Sequence, residues 1–226
     1  MLALLRSPLR TSALALCALI AGCATPHVKA VRTSDRLQDF RVAVEDLQLK
    51  CTAASGSLTA VITRKDQDPK GALDAFDNDV DAVASAFKRA QSRLDSLNKQ
   101  SEAYFDTWKE QAATLEDEDL KESSENRREA LQAALEKVTK SFEPARTEAA
   151  AYLESLQDTL QYLGIDLTPQ GISAAESKAK STAKSSKGVC DELAEVLEAV
   201  KAAEPQFARA MPPQPVKQDG ATTKKQ

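Results

Sequence analysis

The sequence predicts an all-α fold: an elongated antiparallel bundle of four long helices with coiled-coil-like packing and a central long hairpin. Three observations predict it. Aromatic residues make up 4% of the 226-residue chain and there are only 7 glycines, which leaves little from which to build strands and Gly-rich turns. Apolar residues recur in alternating three- and four-residue steps over four separate segments. The breaks between those segments are short and carry Pro, Gly and acidic residues, and short connections make successive helices antiparallel neighbours.

The first helix is expected at about 34–64, where Leu37, Phe40, Val44, Leu47, Cys51, Ala54, Leu58 and Val61 form an uninterrupted apolar stripe. Pro69 and Gly71 then mark a break, with Asp68 placed to cap the next helix and Pro69 in its first turn. The second helix, about 70–116, steps through Leu73, Phe76, Val80, Val83, Phe87, Ala90, Leu94, Leu97, Ser101, Tyr104, Trp108, Gln111 and Leu115; only Ser101 and Gln111 interrupt the stripe. Glu116, Asp117, Glu118 and Asp119 form an acidic turn. The third helix, about 121–163, carries Leu131, Leu135, Val138, Phe142, Ala145, Ala149, Tyr152, Leu156, Thr159 and Leu163, and Gly164 is expected to end it. Pro144 lies inside this stripe, but the register survives across it, which predicts a kink near Ser141 and not a break. Thr168 and Pro169 read as cap and first residue of the fourth helix, about 169–207, whose stripe runs Ile172, Ala175, Ala179, Thr182, Ser186, Val189, Leu193, Val196, Val200, Ala203 and Phe207. A sustained 3.5-residue period implies left-handed packing of long helices. The bundle is bounded at 34–209, and 210–226, with Pro212, Pro213 and Pro215, is expected to be a disordered tail.

Residues 1–22 carry export information. Arg6 and Arg10 precede an apolar run from Thr11 to Ile20 that is about half the length a membrane-spanning helix needs. It ends in Leu19-Ile20-Ala21-Gly22-Cys23, which resembles the lipobox of bacterial lipoproteins. The resemblance implies cleavage before Cys23 and acylation of its thiol, so that the chain meets a membrane through a lipid anchor, with 23–33 as anchor and polar tether. Ala24 is not the aspartate that retains such proteins in the inner membrane of enteric bacteria, which implies the outer membrane, facing the periplasm. Two or three acyl chains make release rare, each buried methylene adding about 0.8 kcal/mol.

With Cys17 removed and Cys23 acylated, Cys51 and Cys190 remain as an even pair in an oxidising compartment, which predicts a disulfide. Both count to roughly 25 Å above a common lower end of the bundle, so the first helix and the last could be tied there. The alternative is two reduced thiols acting as small hydrophobes.

Charge and residue types exclude several functions. The net charge is −4 and falls to about −6 without Arg6 and Arg10, the opposite of the basic stripe that nucleic-acid binding needs. His27 is the single histidine and falls in the tether, so neither a Ser-His-Asp arrangement nor a histidine metal cage is expected in the bundle. Without Cys-x-x-Cys-His, Glu-x-x-His or a Gly-rich phosphate loop, no cofactor and no enzyme activity are expected. Tyr104, Phe105 and Trp108 cluster in the second helix as either a recognition patch or the large side chains of a wide core layer. The acids at 116–119 lack the spacing of a calcium loop and read as a solvated tip. Lys178, Lys180, Lys184 and Lys187 read as a polar helix face, or as a contact for anionic glycan or lipid.

The stretch from Leu73 to Val196 resembles a bacterial family of exported helical proteins known only as a domain of unknown function. The matching marks are Tyr104-Phe105-Asp106-Thr107-Trp108-Lys109-Glu110, the serines and arginines Ser123, Ser124, Arg127 and Arg128, Glu143-Pro144-Ala145, and Leu153 to Leu163 before a break. Gly164-Ile165-Asp166-Leu167 departs from the Asn-Leu-Asn type of turn the family tends to have. The resemblance brings no activity.

The expected role is a non-catalytic envelope lipoprotein, a helical scaffold or interaction module for an envelope protein or cell-wall component. The alternative is a carrier of lipid or another hydrophobe, housed where Ala175, Ala179, Thr182 and Ser186 are small. A secretion or efflux adaptor would also need flanking β-domains, for which the chain has no room.

Overall fold

A computed structural model describes residues 26–208, and the expected signal segment, Cys23 and the tail at 210–226 lie outside the described residues. The described chain is four α-helices: α1 (Pro26–Thr63), α2 (Pro69–Ala112), α3 (Glu118–Ile165) and α4 (Pro169–Ala208). Each packs on the next and α4 closes on α1, so the backbones form a four-sided antiparallel bundle. Across the diagonal, contact is made by large side chains. Phe40 of α1 meets Phe142 of α3 edge to face at 5.4 Å, and the Tyr152 hydroxyl donates to the Cys51 carbonyl at 3.1 Å.

The heptad stripes become the core. All eight stripe residues of α1 and all ten of α3 are buried, and α3 buries no others. In α2 the buried face drifts off the strict seven-residue grid: Ala72, Ala86 and Ala112 are buried where Leu73, Phe87 and Gln111 are only half-buried or exposed. An α-helix loses about 20° per heptad against a 3.5-residue period, and over some six heptads the core-facing position shifts to its neighbour.

The turns at one end, called here the far end, share a construction. Asp68 accepts from Gly71 N at 3.0 Å with Pro69 between them, and Thr168 Oγ1 accepts from Gly171 N at 3.1 Å with Pro169 between them. Each is an N-cap followed by proline, whose missing N–H is not needed in a first turn. Gly171 is required by close approach to backbone, whereas Gly71 approaches only a side chain. A Cβ on Gly71 would stand 2.4 Å from the Asp68 carboxylate, and one on Gly171 would stand 2.4 Å from the Asp166 carbonyl oxygen. At the other end, the near end, Asp117 caps α3 by accepting from Leu120 N at 3.0 Å.

Four expectations are corrected. α1 begins at Pro26, so 26–33 is two turns of helix instead of a tether; Ala30 and Thr33 bury there, and the Thr33 hydroxyl is satisfied by the Lys29 carbonyl at 2.9 Å. α2 ends at Ala112, ahead of the expected 116, and α3 already starts at Glu118, because Asp117 supplies a cap. α3 runs past Gly164 to Ile165, with Asp166 ending it. Of the four seams between neighbouring helices, that of α2 and α3 is the most loosely packed. Pro144 sits within an unbroken α3, as the register required.

Candidate functional site

The near end is where the helices fail to close. Lys29 Nζ donates to the Ala103 carbonyl at 3.0 Å, which sets the start of α1 beside the last turns of α2, and Arg127 Nη2 donates to the Gln206 carbonyl at 3.3 Å, which sets the end of α4 beside the early turns of α3. Among the described residues, α2 and α3 continue past those levels alone for roughly two turns, about 10 Å. Unpartnered on two sides, they leave a cleft of about 640 Å³ over the end of the core, lined by His27 and Ala30 of α1, by Tyr104, Trp108, Gln111 and Ala112 of α2, by Thr114 and Leu115 of the turn, and by Ser124 and Arg127 of α3.

The cleft splits the aromatic cluster expected from sequence. Tyr104 and Trp108, one helical turn apart, face it with ring centroids 5.4 Å from each other. Phe105, one residue on from Tyr104, turns into the seam of α2 and α3 instead. Tyr104 is buried, and Trp108 is half-buried with its indole N–H donating to Ser124 Oγ at 2.7 Å. Burial pushes the Tyr104 phenol up to about 12, with Arg127 nearby pulling weakly the other way, so the hydroxyl stays protonated and can donate. Around the cleft Val28, Leu115 and Leu120 stand exposed.

A second groove of about 430 Å³ lies between α2 and α3. Ser101 occupies a seam position there, and Thr139 Oγ1 donates across it to Asn98 Oδ1 at 3.0 Å. Arg128 is drawn into this groove by Glu125 and Gln132, and its guanidinium holds the Glu125 carboxyl below the usual range. Polar side chains thus stand in this seam.

The expected Cys51–Cys190 bridge is not formed, and both thiols are free. They do share a level. Gln48 Nε2 donates to the Cys190 carbonyl at 3.0 Å, and the Cys190 thiol lies 3.6 Å from Thr52 Oγ1, so Cys190 rests on the turn of α1 that carries Cys51. Cys51 is wholly buried on the seam, whereas Cys190 follows the seam residue Val189 and is turned by about 100° to the outer flank of α1. Burial first, then the neighbouring Cys190, pushes the Cys51 thiol up to about 12, which removes its nucleophilic form.

The remaining candidates take their places on the surface or in the core. Asp117 is a helix cap and Glu118 pairs with Lys121 at 3.5 Å in the exposed tip. Lys178 and Lys184 are exposed, while Lys180 and Lys187 pair with Glu176 and Asp191 four residues along their own helix, as a solvated face does. Ala175, Ala179 and Thr182 are buried where α4 approaches α1 closely enough for Ser55 Oγ to donate to the Ala183 carbonyl at 2.9 Å. Among the described residues no group of His, Cys, Asp and Glu is placed to hold a metal ion, and no helix is long and apolar enough to cross a membrane.

Sequence reasoning missed His27, Ser124 and Arg127 as cleft residues. Pro26 fell within the expected tether, although proline at the first helical position would equally have announced α1. The three-residue spacing of Ser124 and Arg127 places both on one face of α3.

The chain belongs to the family described as "protein of unknown function (DUF2959)", which matches residues 28–211. No curated protein matches it, and no solved structure does.

Proposed function

We propose that this member of the family is a non-catalytic lipoprotein, anchored through Cys23 in the outer membrane and acting in the periplasm as a helical scaffold and interaction module for an envelope protein or cell-wall component. The observation that carries the reading is the placement of the open end. α1 begins at Pro26, three residues after the proposed anchor, and the aromatic cleft with exposed Val28, Leu115 and Leu120 lies at that same end. The proposed anchor is therefore close in sequence to that surface, while elsewhere the bundle is a continuous hydrophobic core with only scattered exposed apolar residues and the groove between α2 and α3. Carriage of a hydrophobe at Ala175, Ala179 and Thr182 has less support, because the small residues there let α4 close on α1.

Photo-crosslinking in growing cells from Leu120, at the exposed tip, tests both halves. The expected result is one recurring protein or cell-wall adduct from the membrane fraction, lost in Cys23→Ser. Absence of any adduct from Leu120 and Val28 would remove the interaction role. A Cys23→Ser chain that still sediments with membranes would remove the anchor.

A further inference from the structure

We propose that the near-end cleft is a docking site for a proline segment, and that its occupant is residues 211–216 of this same chain. The chain brings that segment to the cleft by connectivity. Phe207 is buried in the core and the Gln206 carbonyl is held by Arg127, a residue of the cleft wall, so the chain leaves α4 at the rim. Ser124, one turn before Arg127 on α3, bonds Trp108. From Gln206 to Trp108 is thus a path of two hydrogen bonds and one helical turn. Pro212 follows Ala208, the last residue of α4, by four residues, which at about 3.1 Å each reach roughly 12 Å, about the width of a helix.

The chemistry of the two parts agrees. Pro212-Pro213-Gln214-Pro215 is a Pro-x-x-Pro run, pre-set toward the polyproline conformation and cheap to order on a surface. Such runs are recognised by shallow grooves of aromatic rings flanked by hydrogen-bond donors. Here the rings are Trp108 and Tyr104, and the donors are the Tyr104 hydroxyl and the Arg127 guanidinium. Charge favours this occupant over anionic lipid: residues 209–226 hold four basic side chains against a single acid, and the tip beyond Leu115 is Glu116 to Asp119. The inference is independent of the membrane anchor. Tethered by a few residues, the segment has an effective concentration on the order of 1 mM, so even an affinity of about 100 µM would keep it docked about nine-tenths of the time.

Trp108 is the only tryptophan, so its fluorescence reports this site alone. Acrylamide quenching is compared in the full chain, in the full chain with Pro212, Pro213 and Pro215 changed to serine, and in a chain ending at Ala210, with helicity checked by circular dichroism. Docking predicts that quenching rises about two-fold or more in both altered chains, and that a synthetic peptide of residues 209–218 restores protection to the shortened one. The peptide arm stands even if one variant folds poorly. Equal quenching in all three chains with no effect of peptide overturns the proposal. Protection that falls on dilution overturns docking within one chain in favour of a neighbour's segment. Protection by phosphatidylethanolamine–phosphatidylglycerol vesicles, with the proline variant behaving as the unaltered chain, overturns it in favour of lipid.

Discussion

The two ends of the bundle are made from the same four helices and differ in how the helices stop. At the far end, Asp68 with Gly71 and Asp166 with Thr168 and Gly171 turn the chain within a few residues, and Phe76, Leu58, Leu163 and Ile172 fill the core behind them. At the near end one hairpin overshoots, Asp117 caps α3, and among the described residues the last aromatic layer is half open. The far end does expose Ile165, beside the Asp166 that ends α3. Tight caps fix helix ends where the core must close; where the hairpin overshoots, apolar surface among the described residues is left available for contact.

The largest test of that contrast compares one aromatic residue from each end. Phe76 is fully buried, and Phe76→Ala should cost about 3–5 kcal/mol in urea unfolding. Trp108 is the larger side chain but half-buried, and Trp108→Ala should cost only about 1–2 kcal/mol. Equal losses would mean that the near end is core like any other.

The glycines provide the next test. In Gly171→Ala the new methyl meets a backbone carbonyl, which cannot swing away, and the expected loss is about 1–3 kcal/mol. In Gly71→Ala it meets a carboxylate that can rotate; the lost cap, about 1 kcal/mol, is largely offset by the better helix propensity of alanine, so the unfolding midpoint should barely move. A third substitution probes the loose seam beside the near end. Ser101 is buried but bonds only the Asn98 carbonyl of its own helix, and Ser101→Ala should stabilise by about 0.5 kcal/mol. A loss there would mean that the polar seam is held by its hydroxyl.

The two ends were unequally legible in the sequence, for a physical reason. A core face repeats, and a repeat can be counted: the stripe of α3 coincides with its buried residues, every stripe residue of α1 is buried, and Asp68-Pro69 and Thr168-Pro169 announced caps whose signals are local. The cleft does not repeat. It is assembled from the first turn of α1, the last turns of α2 and the early turns of α3, and the bond from Trp108 to Ser124 crosses a turn with no pattern of its own. Thr33 shows the same limit in one residue: a hydroxyl that bonds its own helix can be buried without reading as apolar. Cys190 shows it in another, since one step off the seam separates a buried partner from a flank that no stripe describes.

The smallest expected effect concerns pH at the far end. The Asp166 carboxylate accepts from Thr168 Oγ1 at 2.6 Å and from Thr168 N at 3.1 Å, and these bonds hold its pKa below the ordinary aspartate value. A carboxyl whose folded pKa is depressed contributes stability above its unfolded pKa, about 3.9, and loses it as pH falls through the folded value. Asp166→Asn keeps an acceptor but no charge, so it should be slightly less stable than the unaltered chain at pH 7, and the gap should close as pH falls through the depressed folded value. The group is exposed, so solvent and salt keep the gap small. Urea midpoints for both chains across that range measure it. A gap of the same size at both extremes would show that the turn depends on the shape of the aspartate and not on its charge, which would leave the far end closed by packing and by the two glycine approaches alone.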